Sequence, residues 1–96
     1  MDPQKKQESE SKQSQRVFLK DIWQFREKDI NLFVQVELKT EIVYNKYILV
    51  RACDSSGSTY VEFDRRTHLE NKAWYCLRRF KVFGDKDYGF VASQQP

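Results

Sequence analysis

The residue types that most often perform catalysis are sparse in this chain. His68 is the single histidine, and it lies in a polar stretch where nothing pairs it with a defined nucleophile. Cys53 and Cys76 form no Cys-x-x-Cys pair and have no second histidine with which to complete a zinc site. Asp85 and Asp87 flank a turn, where aspartate is common because its side chain hydrogen-bonds the backbone. We therefore expect a non-enzymatic protein with no cofactor or metal, in which both cysteines are small core side chains and His68 is a solvated loop residue.

A second group of residues, basic and aromatic, could bind nucleic acid. Residues 65–86 contain seven basic and two acidic side chains, whereas residues 17–64 contain six basic and eight acidic ones. Sequence-tolerant binding of single strands needs cations along the phosphate backbone and aromatic faces for the bases. Phe83 is the first choice for a base platform, because it precedes Gly84 at a predicted hairpin tip, where burial is difficult. The predicted contacts in this part of the chain are Arg78, Arg79, Lys81, Phe83, Lys86 and Tyr88.

The alternative for these cations is that they are solvent-facing residues of a strand whose rings fill the core. Under the binding hypothesis, a loop over Thr40–Lys46 and the outward faces of two strands would supply the other wall of a groove. Phe33 interrupts the polar face of its strand and could join this surface, as could Leu49. Arg51 would meet a phosphate or pair with Glu37 or Glu62. The predicted contacts on this wall are Tyr44, Lys46, Tyr47, Arg51 and Tyr60, whereas Trp23 and Trp74 are predicted in or near the core.

The elements that must position these residues are short strands. Apolar residues occupy every second position from Ile30 to Leu38, which predicts a long half-buried strand. Further strands are predicted over 47–53, 59–63, 73–82 and 88–92, with turns at 54–58 and 84–87. The third would place Val61 and Phe63 on one face and Tyr60 on the other. Five strands in so short a chain fit a small closed all-β barrel: either an oligonucleotide/oligosaccharide-binding (OB) type barrel, with a short helical turn between strands three and four that points Leu69 inward, or an SH3-like barrel.

Composition bounds the domain and its setting. Residues 1–15 are rich in Gln, Ser, Lys and Glu, which predicts a disordered polar tail before one domain over 16–93. A chain of 96 residues accommodates one domain. No apolar run reaches the length of a membrane span, and the N-terminus shows no apolar signal region. With only two cysteines, an intracellular, reducing compartment is expected.

Several segments, in order along the chain, carry a family resemblance. Phe18-Leu-Lys-Asp-Ile22 precedes the long strand, Cys53-Asp-Ser-Ser-Gly-Ser58 closes the second, and Tyr75-Cys-Leu77 and Val82-Phe83-Gly84 lie in and after the fourth. This arrangement, over residues 17–92, resembles the OB domains of the replication protein A type and of small single-stranded-DNA-binding proteins. The resemblance implies an OB fold, binding of single-stranded DNA or RNA, a nuclear location, and a role in DNA replication, repair or telomere maintenance.

Two features differ from that family. Its members often present an outward aromatic residue at the end of strand three, and here that slot falls at Asp64, with Phe63 on the inward parity. The usual C-terminal helix is also not found in this sequence. These differences favour a second hypothesis, a protein–protein assembly module of a nucleic-acid-binding complex, whose apolar patch would be Phe33, Tyr47, Leu49 and Tyr60. Salt dependence separates the two hypotheses, because phosphate binding weakens steeply as salt rises.

Overall fold

Five strands close into a barrel, and a sixth strand, of two residues, pairs with the first residues of the longest strand. The computed structural model describes residues 15–93, so nearly all of the predicted polar tail lies outside the described residues. A 3-10 helix, Leu19–Gln24, lies between the first and second strands. The strands are β1 Gln15–Arg16, β2 Ile30–Tyr44, β3 Tyr47–Asp54, β4 Gly57–Asp64, β5 Trp74–Phe83 and β6 Phe90–Ser93.

The strand order confirms the OB-type barrel. Neighbouring strands follow the order β1-β2-β3-β4-β6-β5, and β2 also pairs with β5, which closes the sheet. β4 and β6 pair in parallel while the other barrel pairs are antiparallel. This is a five-stranded OB-type order rather than the SH3-like alternative. No helix within residues 15–93 is long and apolar enough to cross a membrane.

The barrel core is mainly aliphatic, with Phe80 as its buried aromatic residue, and in β2 it follows the predicted alternation. In β2, Ile30, Leu32, Val34 and Val36 are buried while Phe33 between them is exposed. The other fully buried large side chains are Ile22 of the 3-10 helix, Val50, Val61 and Val91. Each is contributed by a different element, and β5 adds buried Leu77, Phe80 and Val82. Burial of this apolar surface therefore joins the helix and the five barrel strands into one cooperative unit.

The crossover between β4 and β5 contains two hydrogen-bonded turns where a short helical turn is predicted. The Thr67 N–H donates to the Asp64 carbonyl at 2.9 Å and the Ala73 N–H to the Glu70 carbonyl at 3.2 Å. Each is an isolated turn, because a polar run with Leu69 as its one large apolar residue offers too little surface to bury against the barrel. Leu69 packs against the core as predicted. The helix of this structure lies before β2, where Leu19 and Ile22 supply two buried anchors.

The β2–β3 hairpin is longer than predicted. Residues 40–44, predicted as a loop, continue β2, and only Asn45 and Lys46 form the turn. Asn45 has φ +50°, the left-handed conformation that two-residue hairpin turns favour and that Asn tolerates. β2 and β3 pair again from Ile42 to Tyr44 after an irregularity in register that begins at Glu37. The hairpin therefore extends as a ribbon with both faces exposed, which hides the period-two burial signal there.

Candidate nucleic-acid interface

Four outward side chains form one row across the sheet. Arg51 of β3 pairs with Tyr60 of β4, Tyr60 pairs with Phe90 of β6, and Phe90 pairs with Phe83 of β5. Cross-strand partners point to the same face of a sheet, so these four residues, hereafter the outer row, lie side by side over about 14 Å. The sequence indicated Arg51, Tyr60 and Phe83, but not Phe90, because nothing local shows that β6 inserts between β4 and β5.

The rings of the outer row are partly accessible. The Phe83 and Phe90 ring centroids lie 5.4 Å apart with an interplanar angle of 23°. Tyr60 is 36% exposed and Phe83 is 37% exposed. Phe90 supports Phe83 from one side, so the arrangement offers two separate rings, at Tyr60 and at Phe83, to flat ligands.

A cleft with basic walls opens beside Tyr60. Its volume is about 600 Å³, and it lies between the 3-10 helix, the β3–β4 hairpin and the loop after Gly84. Its charged lining residues are Lys20, Arg51, Lys86 and Asp87, and Trp23 also lines it. We call this space the outer cleft. Lys20 and Trp23 were not predicted as contacts, because they come from the helix, whose docking beside β4 is a long-range event.

The half-buried carboxylate of Asp54 connects the 3-10 helix to the β3–β4 hairpin. Asp54 Oδ2 accepts the Leu19 N–H at 2.9 Å, and Asp54 Oδ1 accepts the N–H groups of Ser56 and Gly57 at 2.7 and 3.2 Å. The turn is thus closed by its own first side chain, as the Asp-Ser-Ser-Gly sequence predicts. Burial raises the pKa of Asp54, but hydrogen bonds from Ser56, Leu19 and Gly57 outweigh it, and the net pKa is lower than usual.

Gly89 packs closely against Trp23 and forms the wall of the outer cleft on the side of the loop after Gly84. A Cβ at this position would lie 2.3 Å from Trp23 Cζ3 and 2.4 Å from the Asp85 carbonyl oxygen. Only glycine therefore permits the loop to approach the indole this closely. Trp23 is half-buried, with one side against the core and the other at the cleft, so its predicted placement near the core is correct but incomplete.

The loop after β5 carries two predicted contacts. Asp85 Oδ1 accepts the N–H groups of Asp87 and Tyr88 at 2.9 and 3.0 Å, which folds the loop back toward β6. Lys86 lines the outer cleft, whereas Tyr88 is 88% exposed. The predicted hairpin turn is present, but β6 begins at Phe90 rather than at Tyr88.

The hairpin tip gathers three predicted residues away from the outer cleft. The Tyr44 and Tyr47 rings lie 5.8 Å apart, and the Tyr44 hydroxyl donates to the Glu62 carboxylate. Burial, followed by this hydrogen bond, raises the pKa of Tyr44 to about 12. Lys46 occupies the turn itself and is exposed. The two tyrosines lie on the same sheet face as Arg51, at the opposite end of β3 from the β3–β4 turn.

The predicted basic strip along β5 is divided by a β-bulge. Between the pairs Ile30–Phe80 and Leu32–Leu77, β2 has one residue and β5 has two, Arg78 and Arg79. Arg79 adopts φ +59°, and its N–H donates to Asn31 Oδ1 at 3.1 Å. The bulge changes which residues of β5 point to the same side of the sheet. Arg78, Arg79 and Lys81 therefore do not line a single path for a phosphate backbone.

The three β5 cations consequently have different surroundings. Arg79 Nε and Lys81 Nζ lie 3.9 and 4.0 Å from the Asp29 carboxylate. Arg78 instead lines a separate pocket with Arg16 and Phe33. Arg51 does not take either predicted carboxylate partner and donates to Ser58 Oγ at 3.0 Å.

Several further predictions are settled by side-chain placement. Phe33 pairs with Cys76 and stacks on Trp74, so it does not join the Tyr47–Tyr60 surface as predicted. Trp74 is 49% exposed and Cys76 is exposed, contrary to their predicted core positions. Both point outward from β5, whereas Leu77 points to the opposite side of the strand and is buried. Cys53 is half-buried, and His68 is exposed as predicted.

The end of β4 matches the predicted parity. Phe63 packs inward, with its ring centroid 6.1 Å from that of Phe80. Asp64 is exposed and forms an ion pair with Arg66 at 3.2 Å. The outward position at the end of β4 is thus acidic, and the accessible aromatic residue of β4 is Tyr60. Within the described residues, no cluster of His, Cys, Asp and Glu is suited to a metal ion.

Comparison with known proteins indicates the fold. No family model matches the sequence, and no curated protein matches it. The barrel is similar to a chain in a solved structure described as "Structural mimicry for functional antagonism", with a TM-score of 0.66 and 17% sequence identity. The match covers 81% of this chain but 40% of that chain, so this chain spans less than half of its length. At this identity, the similarity shows the shared fold alone.

Proposed function

We propose that this barrel binds single-stranded nucleic acid, with single-stranded DNA as its principal ligand, and performs no catalysis. The observation that carries the proposal is the outer row: accessible Tyr60 and Phe83 rings on β4 and β5, with Phe90 of β6 between them, beside a cleft with three cations. Such a combination suits bases stacked on rings and phosphates neutralised along their path. The proposal includes a nuclear role in replication, repair or telomere maintenance, supported by the sequence resemblance.

Each part of the site has a distinct task in this mechanism. Tyr60 and Phe83 each accept a base on an exposed ring face, and Phe90 holds Phe83 in place. Lys20, Arg51 and Lys86 meet the phosphates between those bases. Asp87 lies at the same cleft and disfavours a further phosphate there, which limits the path to the side of Lys20 and Arg51. Tyr44, Lys46, Tyr47 and Tyr88 would extend the contact on longer strands.

The expected losses of affinity are large enough to measure. Stacking contributes about 1–3 kcal/mol per base, so Tyr60→Ala should weaken binding roughly 5- to 150-fold. Three phosphate contacts predict a slope of about −2 for log affinity against log salt. Raising salt from about 50 to about 200 mM should therefore weaken binding roughly 20-fold.

The test is fluorescence anisotropy of a labelled mixed-sequence oligonucleotide of about 15 nucleotides, long enough to span one OB site. Lys86→Ala is compared with Arg78→Ala, which removes the same charge from a different face. We expect Lys86→Ala and Tyr60→Ala to weaken binding and Arg78→Ala to change it little. Absence of binding at low salt, salt-independent binding, or equal losses for Lys86→Ala and Arg78→Ala would overturn the proposal. An RNA oligonucleotide of matching sequence tests the preference for DNA.

A further inference from the structure

The face of the barrel formed by β1, β2 and β5 carries a stack of exposed aromatic residues. Phe33 and Trp74 lie with ring centroids 5.0 Å apart and an interplanar angle of 25°. The Arg16 guanidinium carbon lies 5.6 Å from the Phe33 centroid and 5.7 Å from the Phe18 centroid. Phe18 is 48% exposed, Phe33 39% and Trp74 49%. We call Phe18, Arg16, Phe33 and Trp74 the back stack.

A pocket with an apolar floor opens beside the back stack. Its volume is about 400 Å³, and its floor is formed by Leu32 and Leu77, which belong to the barrel core. The remaining lining residues are Arg16, Asn31, Phe33, Cys76 and Arg78. The pocket is therefore an opening in the sheet surface that is large enough for a bulky apolar side chain.

The charge at this pocket has one sign. Two guanidinium groups, of Arg16 and Arg78, line it, and no carboxylate does. Among residues 15–93, no carboxylate lies within ion-pair distance of either arginine. Arg16 is held between two rings, which orders its guanidinium plane while leaving N–H groups at its edge for a bidentate acceptor.

The geometry of the back stack favours a peptide over a nucleobase. Arg16 of β1 pairs with Asn31 of β2, and Trp74 of β5 pairs with Gln35 of β2. Phe33 lies between Asn31 and Gln35, so the Arg16 and Trp74 side chains flank it from opposite directions along the strand. Both faces of Phe33 are then occupied, and the groups that line the pocket are the Phe33 ring edge, the apolar floor and arginine N–H. Those groups complement an apolar side chain and carboxylates rather than a stacked base.

We propose that this face binds an acidic peptide segment of a partner protein. A large apolar side chain of the peptide enters the pocket over Leu32 and Leu77, and flanking carboxylates pair with Arg16 and Arg78. Trp74 covers the apolar side chain at the edge of the pocket. This surface uses none of the residues of the outer row or the outer cleft, so the barrel can hold a peptide and a nucleic-acid strand together.

The test uses the full chain and a fluorescein-labelled synthetic peptide of glutamate and serine with a central phenylalanine. Two control peptides replace glutamate by lysine, or phenylalanine by serine. We expect Arg16→Ala or Arg78→Ala to weaken binding of the acidic peptide roughly tenfold, because a charge-assisted pair is lost in each. Arg16→Lys, which keeps the charge but not the planar fork, should lose nearly as much. Arg51→Ala is the matched control in the outer row, and this variant should bind the acidic peptide as tightly as the unaltered protein does.

Four outcomes would overturn this proposal: no binding of the acidic peptide, equal binding of either control peptide, an equal loss with Arg51→Ala, or displacement of the bound peptide by single-stranded DNA. The last outcome would show that the face is a nucleic-acid surface. Failure here leaves the oligonucleotide test of the outer row unaffected, because Arg16 and Arg78 take no part in that site.

Discussion

The outer row and the back stack use the same residue types in opposite ways. Both combine aromatic rings with arginine on outward positions of one barrel. In the outer row, Tyr60 and Phe83 lie on different strands with Phe90 between them, and the cations come from three elements: Lys20 from the 3-10 helix, Arg51 from β3 and Lys86 from the loop after β5. In the back stack, Phe33 lies between Trp74 and Arg16, which cover it. A composition of basic and aromatic residues therefore does not identify a nucleic-acid site until the register shows which ring faces are free.

The distinction depends on two irregular features of the chain. The bulge at Arg78 and Arg79 directs one cation to the back stack and the next toward Asp29. The insertion of β6 between β4 and β5 places Phe90 next to Tyr60. Each feature changes the neighbours of a side chain without changing the strand to which it belongs.

The largest effect should come from the core beneath the outer cleft. Ile22 is fully buried and anchors the helix that carries Lys20 and Trp23. Ile22→Ala should lower the free energy of unfolding by about 2–5 kcal/mol, since it removes apolar burial and leaves a cavity. The same substitution at Ile42, which is 52% exposed, should change it by less than about 0.5 kcal/mol. Urea denaturation measures both, and equal losses would show that the helix is not part of the cooperative core.

Two glycine substitutions should distinguish the outer cleft from the back stack, with a smaller loss of stability than Ile22→Ala. Gly89→Ala forces its Cβ against Trp23 and the Asp85 carbonyl, whereas a Cβ at Gly57 meets nothing within 4 Å. We expect a loss of about 1–3 kcal/mol for Gly89→Ala, as in other overpacked sites, and little change for Gly57→Ala. Gly89→Ala should also weaken oligonucleotide binding and leave acidic-peptide binding intact. A Gly89→Ala protein as stable as Gly57→Ala would contradict the close packing of this wall.

The third effect is pH-dependent and concerns the carboxylate that positions the helix. The folded-state pKa of Asp54 lies below its ordinary value of 3.8. Its contribution to stability is therefore complete above that value and is lost as pH falls through the lower folded-state pKa. Asp54→Asn should cost about 1 kcal/mol at neutral pH, with the difference from the unaltered protein shrinking below about pH 4. Denaturation midpoints over a pH series measure this, and a difference that persists unchanged at low pH would assign the loss to shape rather than charge.

The sequence predicts the barrel better than it predicts the division of its surface. The alternation from Ile30 to Leu38 and the Asp-Ser-Ser-Gly turn are local signals, and both have the predicted structure. Arg51, Tyr60 and Lys86 meet at one cleft as a groove would require, although their function there stays a prediction. Arg78 and Phe33 differ from expectation because a bulge and a strand pairing, both set by distant residues, decide where their side chains lie.

We propose that single-stranded DNA lies across the outer row and not across the back stack. The most direct measurement is an NMR titration of the isotopically labelled chain with a mixed-sequence DNA oligonucleotide at low salt. We predict that backbone signals of Tyr60, Lys86 and Phe90 shift progressively while those of Phe33 and Cys76 and the Trp74 indole signal stay in place. Shifts centred on Phe33 and Trp74, with Tyr60 and Phe90 unchanged, would contradict the claim and assign nucleic-acid binding to the opposite face.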